Sequence, residues 1–175
     1  MQTRVILRTK YHCSLEQAFK TPMLCDIAKV HTGFLITPQV IYCTDEADWG
    51  IPGSSKKVFA AKSLTQKGGW FSTDKVIERI ENSYWKIEVG NFQSWIMGFT
   101  KFVGEWSTQE VESNQILVTY TYTLHSNIPL YYPLNWLFTK IYWRIYMKHV
   151  LRNIQHMIAQ NEPFLFPSPQ RSNKR

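Results

Sequence analysis

Five histidines, His12, His31, His125, His149 and His156, are the side chains of this chain best suited to moving protons near neutral pH. No two of them stand in HxH or HxxxH spacing, so a histidine metal site is not indicated. His31 falls in a loop after a short helical stretch, and His125 ends a strand-like run. Two carboxylates, Glu78 and Glu105, lie within strand-like stretches. Strict alternation puts Glu78 with Val76 and Ile80, and Glu105 with Phe99 and Val103, so burial would raise their pKa and suit them to acid/base work. His31, Glu78 and Glu105 are thus the catalytic candidates, set against the ordinary reading of solvated loop and strand residues. No Ser-His-Asp or Cys-His signature accompanies them. The turn DWGIPGSSKK has glycines and hydroxyls that could cradle an anion. It lacks the GxxxxGK[ST] pattern and opens no helix, so a plain hairpin turn is the simpler reading. No cofactor or metal is expected.

A second kind of chemistry is apolar recognition. Seven Trp, nine Tyr and ten Phe are many for 175 residues, and such rings either fill a thick core or line a cavity. In the run 116–125, Ile116, Val118, Tyr120, Tyr122 and Leu124 share one face and threonines dominate the other. Tyr120 and Tyr122 therefore point inward, where they pack the core or orient the polar end of a ligand. Trp85, Trp95 and Phe99 carry the same two readings. Trp143 and Met147 are the expected helix-side residues of a cavity.

The elements that would position these residues read clearly. Residues 3–11 alternate as a strand. Ser14 followed by Gln17 is a capping-box pattern, so a helix starts there, and Pro22 ends it before a second short helix over 23–30. Strands follow at 40–43, 57–62, 70–80, 84–89, 94–108 and 116–125, of which 94–108 is either one long strand or a strand with a bulge near Gly98 or Gly104. Their hairpin spacing predicts an antiparallel sheet. The last element, 133–160, has no internal Gly or Pro and makes a rod of roughly 40 Å. Trp136, Trp143, Met147, Val150, Leu151, Ile154, Met157 and Ile158 share its main apolar face. Its first half carries another apolar row, Leu134, Leu137, Phe138, Ile141 and Ile145, which needs a cover of its own.

A single domain over 1–162 is expected, followed by a basic, flexible tail over 163–175 in which Phe164, Leu165 and Phe166 can dock back. The net charge of +7 favours anionic partners, yet the basic residues are scattered and no nucleic-acid motif is present. Cys13, Cys25 and Cys43, odd in number and without CxxC spacing, read as reduced thiols of a cytoplasmic protein. The first residues contain no run of seven apolar side chains, so no secretory leader is read. No stretch is apolar enough to span a bilayer, although 130–147, with its Trp, Tyr, Lys and Arg, suits peripheral membrane contact or a homodimer.

The order of strand, two short helices, six strands and one long helix resembles the helix-grip fold of the START-like (SRPBCC) superfamily, with its polyketide cyclase/dehydratase-like and pollen-allergen-like lipid binders. The local patterns are SLEQAF after the opening strand, Gly68-Gly69 leading into VIERIENSYWKIEV, and Gly104-Glu105-Trp106 followed by QILVTYTYTL. HTGF around Phe34 stands where a Trp is often found. The resemblance implies an α+β fold in which a curved seven-stranded antiparallel sheet wraps the C-terminal helix, with a cavity between them for a hydrophobic small molecule or lipid. Binding or transport of such a molecule is the favoured function. The alternatives are a cyclase/dehydratase-like enzyme using a Glu or His in the same cavity, and an interaction module docking through the terminal helix. A buried carboxylate or His in an enclosed pocket would favour the enzyme, a wholly apolar pocket the binder, and a filled core the interaction module.

Overall fold

The architecture comes from a computed structural model, which describes residues 1–63, 66–93 and 98–166. The elements are β1 (Gln2–His12), α1 (Leu15–Leu24), α2 (Ile27–Val30), β2 (Val40–Cys43), β3 (Ser55–Ala60), β4 (Gly69–Ile80), β5 (Tyr84–Gly90), β6 (Phe99–Glu112) and β7 (Gln115–Ser126), then the terminal helix. The seven strands form one antiparallel sheet in the order β1-β7-β6-β5-β4-β3-β2. Every pair except β1 with β7 joins sequence neighbours, as short hairpin connections require.

Local signals set these boundaries. Ser14 and Gln17 make the reciprocal capping box that starts α1. The helix runs past Pro22 to Leu24, which corrects the expectation that this proline ends it. A proline in the last turn removes one helical hydrogen bond, and six buried side chains hold the helix to the core. Asp26 then caps α2 through Ala28 N–H.

The terminal helix departs from one regular rod. It comprises a 3-10 turn (Pro129–Tyr131), α3 (Tyr132–Leu137), a six-residue π-helical segment (Phe138–Trp143) and α4 (Arg144–Ala159). A π turn holds more residues than an α turn, so it shifts the helical phase between the two halves. Trp136, expected on the sheet-facing side, consequently lies exposed, while Trp143, Met147, Val150, Leu151 and Ile154 face the sheet. Thr139, within the π segment, is fully buried and bonds Thr3 of β1 and the Asn135 carbonyl.

The grip is solid at one end. Trp85 and Trp106 stack with centroids 5.7 Å apart, Tyr120 meets both edge-on, and Tyr11 donates a hydrogen bond to the Leu151 carbonyl. Phe19, Met23 and Leu24 of α1 belong to the same core. Toward β2, β3 and β4 the inward positions hold small side chains: Val40, Val58 and Ser72. Small residues cannot fill the space that rings fill elsewhere, and the sheet stands off from the helix there. The chain after the helix returns to the fold: the N–H groups of Leu165 and Phe166 donate to the Leu24 carbonyl, and the Phe166 ring is buried against Trp49. The rest of the expected tail, 167–175, lies outside the described residues.

Candidate functional site

The space left at that end is a cavity of about 460 Å³. Phe71, Val89, Phe92, Phe102 and Tyr122 come to it from the sheet, and Phe138, Trp143 and Tyr146 from the helix. Ile27, His31, Ile36, Thr37 and Pro38 come from α2 and the loop after it. This volume and this mainly aromatic lining suit an apolar small molecule.

The loop from Val30 to Val40 is fastened to one helix face by side-chain hydrogen bonds. Tyr142 Oη receives the Thr37 N–H at 3.0 Å and donates to the Phe34 carbonyl at 2.6 Å. His149 Nε2 and Thr32 Oγ1 are 2.9 Å apart, and Asn153 donates to the Val30 carbonyl at 3.0 Å. The Phe34 ring packs among Tyr142, Tyr146 and His149. HTGF is thus an aromatic clasp between loop and helix.

Polar groups also line the cavity. His31 Nδ1 and the Tyr146 hydroxyl are hydrogen-bonded at 2.7 Å. Burial, reinforced by the charge of Lys56, lowers the His31 pKa to about 4, so this imidazole is neutral at physiological pH. Burial raises the tyrosine pKa values of Tyr122 and Tyr146, which stay protonated as hydroxyls. Asp74, on β4, is a carboxyl whose pKa burial raises to about 6, with Lys56 and Ser72 pulling it down. Trp143 has a buried indole N–H without a partner among the described residues.

The residues singled out from sequence separate into three places. His31, Tyr122 and Trp143 are cavity wall. Trp85, Tyr120, Phe99 and Met147 are buried in the core beside it rather than on its wall. Trp95 lies outside the described residues. Glu78 and Glu105 stand on the outer face of the sheet, away from the cavity. A register shift between Val76 and Glu78 turns Glu78 outward, opposite Lys86. Another, between Phe99 and Lys101, puts Phe102, Gly104 and Trp106 inside and leaves Glu105 outside, where it accepts a hydrogen bond from Tyr84 at 2.8 Å. Each bulge inverts the alternation beyond it; the one in β6 falls beside Gly98, one of the two places where a bulge is expected, and the one in β4 carries no such signal.

Two residues that sequence reasoning did not single out matter more. Asp74 sits in the mixed polar run FSTDK, and Lys56 belongs to the stretch DWGIPGSSKK that reads as a turn. Register settles both: Lys56 on β3 pairs directly with Asp74 on β4, and both point inward. The signal available was the alternation of Lys56, Val58 and Ala60 with Lys57 and Phe59, which places a lysine on the apolar face.

No family model matches the sequence, and no curated protein does. Solved structures do match in fold. A START superfamily protein from Mycobacterium smegmatis superposes with a TM-score of 0.64 at 14% identity, over 90% of this chain and 98% of that one. A norcoclaurine synthase point mutant from Thalictrum, in complex with a transition-state analogue, gives 0.66 at 10% identity, over 92% and 96%. Ara h 8.0201 gives 0.64 at 12% identity, over 92% and 100%. The chain has the START-like helix-grip fold, and at such identities it is the fold alone that is shared.

Proposed function

We propose that this protein binds a hydrophobic small molecule or lipid between its sheet and its terminal helix. The observation that carries this reading is the aromatic-lined cavity of about 460 Å³ at the open end of the grip. Binding would draw on apolar area removed from water, about 25 cal/mol per Å² before ordering costs. The test is native mass spectrometry of the purified protein, with extraction of any bound molecule, beside a Val89→Trp variant that fills the wall. The expected result is a near-stoichiometric apolar adduct that the variant loses while keeping its fold. A protein that neither retains nor takes up any apolar molecule would sink the proposal.

An acid/base enzyme of the cyclase/dehydratase kind is the second reading. Asp74 and His31 in the cavity wall are the observation that favours it, in place of the glutamates expected from sequence. A synthase among the structural neighbours is compatible with this reading. Recovery of a chemically altered molecule after incubation, abolished by Asp74→Asn, separates the enzyme from the binder.

We further infer that the partner of the terminal helix is an anionic membrane surface rather than a second copy. Leu134, Leu137, Ile141 and Ile145 of the additional apolar row, and Trp136 beside them, are 47–54% exposed and remain uncovered among the described residues, whereas Phe138 of that row turns to the cavity. Lys140, Arg144, Lys148 and Arg152 recur every four residues beside it, all exposed, and no Asp or Glu occurs between 127 and 161. Apolar and basic rows side by side suit the headgroup zone, whereas a second copy would set like charges together. Among the described residues no helix is long and apolar enough to cross a membrane. The free thiols of Cys13, Cys25 and Cys43 support a cytoplasmic place.

A further inference from the structure

The cavity's electrostatics are least balanced at Asp74, and this inference rests on the binding reading above. Asp74 is only 6% exposed and lines the cavity. Its direct cross-strand neighbour, Lys56, is 2% exposed. Two opposite charges so placed would ordinarily close into an ion pair. Among the described residues, however, no cationic nitrogen lies within 4.0 Å of the Asp74 carboxylate. The Lys56 ammonium lies instead 3.9 Å from the centroid of the Trp49 ring and 5.0 Å from that of Phe166. Both rings are anchored, Trp49 by its indole N–H on the Met23 carbonyl and Phe166 by its backbone on Leu24. Lys56 is thus held behind the cavity and forms no part of its wall.

The other groups around Asp74 do not supply the missing contact. His31, from the loop after α2, is neutral at physiological pH. Tyr122 of β7 and Tyr146 of α4 present hydroxyls. Cys43 of β2 faces Lys56, and burial raises its thiol pKa, so it too is uncharged. Ser72 stands beside Asp74 on the same strand. A carboxylate buried without a contacting cation is costly, and the cavity that Asp74 lines is a side from which a cation can approach it.

We propose that Asp74 is the polar anchor of this cavity and selects apolar molecules that end in a protonated amine. Such a head would meet the carboxylate at hydrogen-bond distance, while its repulsion from Lys56 acts from farther away, behind the wall. An apolar carboxylate would set two anions against each other in a dry space. The cavity therefore prefers the charge opposite to the one that the net +7 of the whole chain suggests.

The test is competition for a neutral fluorescent probe, N-phenyl-1-naphthylamine, by dodecylamine, dodecanol and dodecanoate, which share one alkyl chain. At neutral pH dodecylamine should bind about tenfold or more tighter than dodecanoate, the scale of one charge-assisted hydrogen bond. Asp74→Asn should bring the amine to the level of the alcohol and leave dodecanol unchanged. In the unaltered protein, amine affinity should fall as pH drops below about 6, where Asp74 becomes protonated, and dodecanol affinity should not. That ranking and its pH dependence need no variant, so a misfolded Asp74→Asn protein would not shelter the idea. Dodecanoate binding as well as dodecylamine, or an amine preference that survives Asp74→Asn, overturns it. If neither the probe nor any alkyl ligand binds, the cavity reading itself fails and takes this inference with it.

Discussion

His31 and Tyr146 meet through a hydrogen bond of 2.7 Å that joins the end of α2 to α4 inside the cavity wall. The bond keeps a neutral imidazole in place where water would otherwise charge it below about pH 6.5. Between pH 4 and 7, His31 and Asp74 are the described wall residues whose protonation differs between the folded and unfolded chain, and they are shifted in opposite directions.

The two shifts predict opposite pH dependences. His31 is lowered from 6.5 to about 4, so it contributes stability above pH 6.5 that is lost as pH falls toward 4. Asp74 is raised from 3.8 to about 6, so its charged form weakens the fold above pH 6, and stability returns as pH falls toward 3.8. Each shift corresponds to about 3 kcal/mol, so the two largely cancel between pH 4 and 7. Asp74→Asn removes one side of the balance. In urea denaturation, the stability of the unaltered protein minus that of the variant should grow by about 3 kcal/mol from pH 7 to pH 4. A difference that stays flat would refute the burial assigned to Asp74.

Gly104 on β6 faces Tyr122 across the β6–β7 ladder. A Cβ there would lie 3.0 Å from the Tyr122 ring and 3.5 Å from the Tyr120 hydroxyl. Gly104→Ala should force Tyr122 toward the cavity, costing about 1–3 kcal/mol and weakening apolar ligands. Thermal unfolding and probe binding measured on the same sample check both halves of this expectation.

Phe166 seals Lys56 from solvent. Phe166→Ala should cost about 3 kcal/mol through lost packing and should also hydrate the ammonium that burial now disfavours. The Lys56 pKa should therefore rise in the variant, which NMR titration of the lysine side chain would register. An unchanged Lys56 titration would mean that Trp49 alone provides the shield.

The exposed row of the terminal helix is tested by Ile141→Glu with Ile145→Glu. Both positions are solvent-facing, so stability should move by less than about 0.5 kcal/mol. Co-flotation with phosphatidylserine-containing vesicles should be lost in this double variant, while pure phosphatidylcholine vesicles should bind the unaltered protein weakly. A concentration-dependent dimer in sedimentation, with no vesicle binding, would assign the surface to a second copy instead.

The fold was legible because its signals are local and agree with each other. Ser14 with Gln17 starts α1, and the inward set from Ile116 to Leu124 lies buried as alternation requires. The site was less legible because it depends on events that alternation does not announce. Bulges at β4 and β6 turned Glu78 and Glu105 outward, and the π segment moved Trp136 into solvent. The alternation of Lys56 with Val58 and Ala60 marks the lysine as inward, but that Asp74 stands directly beside it emerges only from the β3–β4 register. His31, read from its place after the short helix, lies in the cavity wall. The wall is mixed: mainly apolar, as the binder reading requires, with the buried carboxyl and imidazole that the enzyme reading calls for.

The clasp between the 30–40 loop and the helix has a kinetic consequence. Tyr142 makes three of its bonds, Asn153 two and His149 one. At about 1 kcal/mol net per bond, swinging the loop away costs roughly 6 kcal/mol, which leaves fewer than about one molecule in ten thousand open at any instant. An occupant that leaves by this route waits for that opening, so its residence time is set by the clasp as well as by its own affinity. The clasp gives the cavity a timer.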